Sequence, residues 1–179
     1  MKKKLKLSKY KACLCEGGAE TAIMEILLDN NLLIFSKEEL IDEEIIRCRK
    51  AEDFKNQYLN KRYDDKISII RVLDRENEKF EIKNAAYSEK IDVVNIVTSP
   101  EIEMLIICSE GKYEDYCKVK SKMSPSKFCK QYLPQLGYNK KLGDINKYFN
   151  TPEKLVNAIK LYHQKHQSKC QYTLLDLLK

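Results

Sequence analysis

The segment Ile67-Ser68-Ile69-Ile70-Arg71-Val72-Leu73 constrains the fold more than any other. It is nearly continuous in β-branched and aliphatic residues, the pattern of a central strand covered on both faces. Sheets covered in this way are mainly parallel and are built from strands alternating with helices. Ile91 to Val97 reads as another such strand. Tyr10 to Cys15 reads as a short apolar strand ending at the turn Glu16-Gly17-Gly18. After that turn Ala19, Ala22, Ile23, Ile26 and Leu27 recur at the helical period, and Asp29-Asn30-Asn31 closes the helix.

Two local readings follow. Leu32 to Phe35 is a strand candidate, and Ser36-Lys37-Glu38-Glu39 is a capping-box pattern that predicts the start of a helical stretch, continuing whole or interrupted towards Leu59. Asn60 to Lys66 is a polar connection. Ser99-Pro100 supplies an N-cap and a first helical residue for a helix carrying Ile102, Leu105 and Ile106. Ser124-Pro125 and Thr151-Pro152 open two more helices, the second with Leu155, Val156, Ile159, Tyr162 and His163 on one face. Tyr172 to Leu178 is a last apolar segment expected to dock on the body. The expected fold class is α/β, a mainly parallel sheet flanked by helices over residues 1–120, with residues 121–179 a helical C-terminal extension packed on the same domain.

A chain of 179 residues buries about two-thirds of its unfolded surface, so it needs neither disulfides nor a structural metal to fold. The seven cysteines are an odd number without a disulfide-scaffold spacing, which points to reduced thiols and a cytoplasmic location. Lys2, Lys3 and Lys4 are followed by no apolar signal region, and no apolar run is long enough to span a bilayer, so a membrane is not an expected partner. Net charge is +6, and five of the first ten residues are lysine. Such a start suits phosphate contact, and it equally suits a solvated terminus.

Acidic residues at strand ends say more. Glu16 ends the first strand, and Glu20 follows at the first turn of the helix, four residues on. Asp74 ends the strand at residues 67–73, and Glu76 lies two residues later, on the same side of an extended segment. In parallel α/β sheets ligands sit beyond the carboxyl ends of the strands. If these two strands are neighbours, four carboxylates converge there. Crowded anions raise one another's pKa or are neutralised by cations. Hard oxygen donors that leave room for water and phosphate favour Mg²⁺ or Mn²⁺. Two such ions can activate a water and stabilise the leaving oxygen of a phosphodiester. Each acid taken singly is an ordinary surface carboxylate; the pairing of two strand ends with a glycine turn carries the reading.

Other groupings are weaker. Cys13 and Cys15 share a strand face, but buried small hydrophobes explain them better than a soft-metal half-site. His163, His166 and Cys170 lack a fourth ligand and read as helix-surface residues. Gly17-Gly18 is not a phosphate loop. Lys112, after the Gly111 turn, is a candidate transition-state cation. Tyr10, Tyr113, Tyr116, Tyr132 and Tyr138 lie among lysines, a composition that suits single-stranded nucleic acid and also ordinary helix packing.

The strand–Glu16-Gly17-x-x-Glu20–helix segment resembles the first Toprim motif, and Leu73-Asp74-Arg75-Glu76 resembles the second, Asp-x-Asp. Thr98-Ser99-Pro100-Glu101-Ile102-Glu103-Met104-Leu105-Ile106-Ile107 is similar to the Ser-Asn-Pro-x-Phe-Glu-x-Trp-Leu-Leu-Leu segment of RloB-like Toprim proteins. Order and spacing agree over roughly residues 10–110. The resemblance implies a Toprim-like fold and Mg²⁺-dependent phosphodiesterase or endonuclease chemistry on DNA or RNA. It also implies kinship with the nuclease components of prokaryotic anti-phage systems, often paired with an ATPase. Self-association stays open. By motif position Glu16 is the essential acid, Asp74 and Glu76 are metal ligands, and Glu103 matches the Phe-Glu glutamate. Glu20 is an added ligand, as in overcoming-lysogenization-defect-type Toprim nucleases. Glu76 stands where Asp is expected, which keeps the charge and moves the oxygens by about one methylene. The alternative is a catalytically silent Toprim-fold binding or sensor subunit of a larger defence complex.

Overall fold

The computed structural model describes residues 5–73, 79–82, 89–98, 102–137, 142–166 and 171–179, and of residues 142 and 143 the backbone alone. Four parallel strands form one sheet in the order β2-β1-β3-β4, with β1 Tyr10–Cys15, β2 Leu40–Ile46, β3 Ile67–Leu73 and β4 Ile91–Val97. Helices flank it, as the α/β, Toprim-like reading requires: α1 Gly18–Asp29, α2 Ala51–Tyr58, α3 Glu103–Ser109, α4 Tyr113–Val119, α5 Pro125–Tyr132, α6 Leu142–Tyr148 and α7 Pro152–Lys165. No helix among the described residues is long and apolar enough to cross a membrane.

Strands β1, β3 and β4 have the bounds the sequence predicts. Every residue of β3 is buried, Arg71 included. Burying an aliphatic side chain is worth about 1.5–3 kcal/mol. The apolar residues of β3 therefore outweigh the several kcal/mol that burying one paired ion costs. Strand β4 is an edge strand: Asp92 and Val93 are exposed, and only Ile96 and Val97 are fully covered.

The stretch after Ser36 corrects the sequence reading. The capping box forms, with Ser36 N–H donating to Glu39 Oε2 at 2.8 Å, but it opens only the short 3-10 turn Lys37–Glu39. Strand β2 follows where the capping box predicts helix, and helix resumes only at α2, Ala51–Tyr58. Leu40-Ile41 and Ile45-Ile46 fit a helical spacing as well as a strand, and pairing with β1 decides the matter. Lys11 pairs with Leu40 and Cys13 with Ile45, so β2 carries a bulge in which Asp42 and Glu43 take positive φ, 56° and 55°. Leu32 to Phe35 forms no sheet strand either. Leu33 makes an isolated antiparallel bridge with Leu178, and Ile34 N–H donates to the Leu177 carbonyl at 2.8 Å.

The two faces of the sheet are covered unequally. Ala12, Leu14, Ile67 and Ile69 face a small core closed by Phe54 and Tyr58 of α2 and by Phe80. Cys13, Cys15, Ile70, Val72 and Ile96 face a larger core. Helix α1 supplies Ile23 and Leu27 to that core, α3 supplies Ile106 and Ile107, and the C-terminal region supplies Phe128, Ile145, Phe149, Leu155, Ile159 and Leu177. Helix α3 packs on α7, and α1 on α6. The last third of the chain is thus part of the cover of one sheet face. The side chains of Ser124 and Thr151 accept from the backbone N–H groups of Lys127 and Lys154, as their N-cap positions predict.

Candidate functional site

The strand order fixes where chemistry can be placed. The chain leaves β1 for β2 on one side and then crosses to β3 on the other. The direction of winding therefore reverses between β1 and β3. In open parallel sheets the crevice beyond the carboxyl ends at such a reversal is the ligand site. Glu16 directly follows β1 and stands at that point.

Glu16 continues the Ala12, Leu14 side of β1, the side of the small core. Its side chain is 11% exposed. Arg71, on the neighbouring β3, is 2% exposed, and its guanidinium Nη2 lies 3.4 Å from Glu16 Oε1. The far side of that guanidinium lies over the Phe80 ring, 4.6 Å from its centroid. Arg49, just ahead of α2, brings its Nε within 3.6 Å of Glu16 Oε2, and its side chain is 72% exposed. One carboxylate is thus approached by one fixed buried cation and one solvated cation. Sequence reading passes over both arginines. The signal for Arg71 is a lone charge within an otherwise apolar central strand, since such a charge can be buried only beside a counter-ion.

Gly17 shapes the other half of the rim. A Cβ placed on Gly17 would stand 2.2 Å from Glu20 Oε2. The carboxylate of Glu20 therefore folds back over the Gly17 backbone, through space that a side chain at residue 17 would take. Thr21 pins the turn, its backbone N–H and hydroxyl both donating to the Gly17 carbonyl at 3.1 and 2.9 Å. The amino end of α1, twelve residues long, opens here and favours anions.

Glu103 is fully buried at the first turn of α3. Asp74 and Glu76, and with them Ser99-Pro100, Tyr138 and Cys170, lie outside the described residues. Among the described residues no group of three His, Cys, Asp or Glu is arranged to hold a metal ion. The rim offers the hard oxygens of Glu16 and Glu20, and Asp74 follows β3 directly in the sequence.

The weaker candidates resolve as packing. Cys13 and Cys15 are buried, and their mutual hydrogen bond, then burial, pushes the Cys15 thiol well up from its usual range. Lys112 is tied to Asp115 of the following helix, with Nζ 3.2 Å from Oδ2. His163 and His166 of α7 are half-buried and line a small cleft with Val97, Thr98 and Leu105. His166 stacks on Tyr162 with ring centroids 5.1 Å apart. Tyr10 bonds Asp64, Tyr113 donates to the Lys165 carbonyl and Tyr116 is buried, whereas Tyr132 is 49% exposed. Comparison of the chain with protein families, with curated proteins and with solved structures gave no match.

Proposed function

We propose that the chain is an RloB-like Toprim protein, a metal-dependent phosphodiesterase or endonuclease acting on DNA or RNA in prokaryotic anti-phage defence. The observation that carries this reading is the position of Glu16: a nearly buried carboxylate at the carboxyl end of β1, at the winding reversal next to β3. A carboxylate buried there for stability alone is a poor bargain, because an apolar pair of similar volume does as well or better.

Glu16 and Glu20, with Asp74 and Glu76 supplied by the segment after β3, would hold Mg²⁺ or Mn²⁺. Their donor chemistry fits, being carboxylate oxygens throughout. A bound ion would supply water activation and neutralise charge on the phosphate. The chain's own residues do the rest. Arg71 orients Glu16 from the buried side, Arg49 adds positive charge on the solvent side, and the amino end of α1 favours an approaching phosphate. Glu103 acts as a positioning residue at the start of α3. The test is calorimetric titration of Mg²⁺ and Mn²⁺ into the wild type and Glu16→Gln, with cleavage assayed on single- and double-stranded DNA and RNA. Loss of metal binding in the variant is expected. Equal binding in both removes Glu16 from the site.

One observation favours the silent binding or sensor subunit instead. Both Glu16 oxygens already have a guanidinium nearby, so the rim is neutralised in part without a metal. In that case the purified chain binds nucleic acid without cleaving it, and activity appears only with a partner such as an ATPase.

A further inference from the structure

Helices α4 and α5 lie on the large-core side of the molecule, where Tyr116 of the first meets Phe128 of the second. The segment from Lys112 to Tyr132 carries Lys112, Lys118, Lys120, Lys122, Lys127 and Lys130, all exposed, against Glu114 and Asp115. Glu114 is engaged by a cation outside the segment, with Lys165 Nζ 2.8 Å from its Oε1. Asp115 holds two ammonium groups at once, Lys112 at 3.2 Å and Lys118 at 3.1 Å. That contact fixes both lysines along one groove, whose other walls are Val119, Phe128 and Tyr132.

Tyr132 gives the groove a flat aromatic surface. Its ring stacks on buried Phe128, centroids 4.7 Å apart at 22°, and Phe128 is braced edge-on by Tyr116 at 5.4 Å and 79°. About half of Tyr132 stays open to solvent, at 49% exposure. A rigid ring with one covered side, lining one groove with Lys112 and Lys118, is what an unpaired base and its flanking phosphates require. A membrane surface would call for several apolar side chains on the face. The large apolar side chains exposed among the described residues are Ile34, Val93 and Tyr132, and the first two lie on other elements.

We propose that the α4–α5 face binds single-stranded nucleic acid, with a base stacked on Tyr132 and backbone phosphates on Lys112 and Lys118. The proposal rests on the nucleic-acid partner of the preceding section, though not on its metal chemistry. The test is fluorescence anisotropy of the full chain with a labelled oligothymidylate of about twelve nucleotides, in EDTA so that no cleavage intervenes. The expected affinity falls with salt. Tyr132→Leu, which keeps apolar contact with Phe128, weakens binding about tenfold, and Tyr132→Phe does not. The double variant Lys112→Gln/Lys118→Gln flattens the salt dependence by about 1.4 in log–log slope, two phosphates at about 0.7 each. Asp115→Asn removes the negative charge that Lys112 and Lys118 share and tightens binding. Thermal melts confirm that each variant is folded. Wild-type affinity in both Tyr132→Leu and the lysine double variant overturns the proposal, as does binding only to duplex or only to anionic vesicles. Metal titration at Glu16 is blind to these variants, so failure here and failure of the metal reading are told apart.

Discussion

Strand β1 carries an ion pair near each end, and the two are built differently. At the amino end buried Lys11 meets Glu39 at 2.6 Å, and Glu39, in the capping box, is 45% exposed. Lys11 also donates to the Lys9 carbonyl at 3.2 Å. That pair anchors the turn before β2, and its carboxylate can still be hydrated. At the carboxyl end the burial is reversed in kind. A nearly covered carboxylate is held at the longer distance of 3.4 Å by an entirely covered guanidinium, with a solvated one at 3.6 Å. A short pair with a hydrated partner is a fold device. A covered carboxylate beside a covered guanidinium at a winding reversal stands where open parallel sheets bind their ligands.

The largest expected effect separates the two ends by stability. Arg71→Ala should cost about 3–5 kcal/mol in urea unfolding, since it opens a core cavity and leaves a nearly buried carboxylate without its fixed cation. Lys11→Ala should cost about 1 kcal/mol, because hydration rescues Glu39. Equal costs would erase the distinction. Next in size, Arg49→Ala removes a cation from beside Glu16 and should tighten Mg²⁺ binding by roughly 3- to 10-fold. With its side chain 72% exposed, stability should hardly move, and unchanged metal affinity would uncouple Arg49 from the rim.

A smaller effect sharpens the amino-end half. The hydrogen bond from Lys11 holds the Glu39 carboxyl below the usual carboxylate range. A carboxylate with a lowered folded pKa adds stability above its unfolded value, about 4.3. That increment is lost as pH falls through the folded value. Lys11→Met should therefore leave neutral-pH stability nearly unchanged and flatten its decline below about pH 4.3 in unfolding measured across pH. An acid limb identical to wild type would place the Glu39 shift elsewhere. The smallest stability effect belongs to Gly17→Ala. The new methyl meets the end of the Glu20 side chain, which can swing away, so the thermal midpoint should move by no more than about 2 °C. Metal affinity should still fall, because Glu20 can no longer fold over the turn. A variant that binds metal like wild type would take Glu20 out of the site.

The strands of the sheet core were legible because their cause is local. β1 and β3 are continuous or nearly continuous in apolar and β-branched residues, a run that no helix of that length buries on both faces, and β4 keeps the β-branched pattern in Val93, Val94, Ile96 and Val97. Likewise Ser124-Pro125 and Thr151-Pro152 specify helix starts through a side-chain oxygen and a fixed φ within a few residues. Glu16 was legible as a strand-end acid followed by glycine. The stretch at 36–46 was not, since Leu40, Ile41, Ile45 and Ile46 satisfy two periods at once, and the bulge that resolves them exists only against β1. Arg71 was visible as a charge in an apolar strand, but its meaning depends on which neighbour supplies the opposite charge.

The sequence by itself determined the elements whose hydrogen bonds and apolar faces are set within a short span: three strands, the glycine turn and its two glutamates, and the capped C-terminal helices. The tertiary structure decided the order β2-β1-β3-β4, hence the winding reversal that puts Glu16 beside Arg71, and it set Tyr132 on Phe128 in one groove with two lysines. The physical reason is range. Periodicity and capping are settled over a few residues, whereas the pairing of buried charges and the exposure of one aromatic ring depend on contacts between segments distant in the chain, which no local pattern encodes.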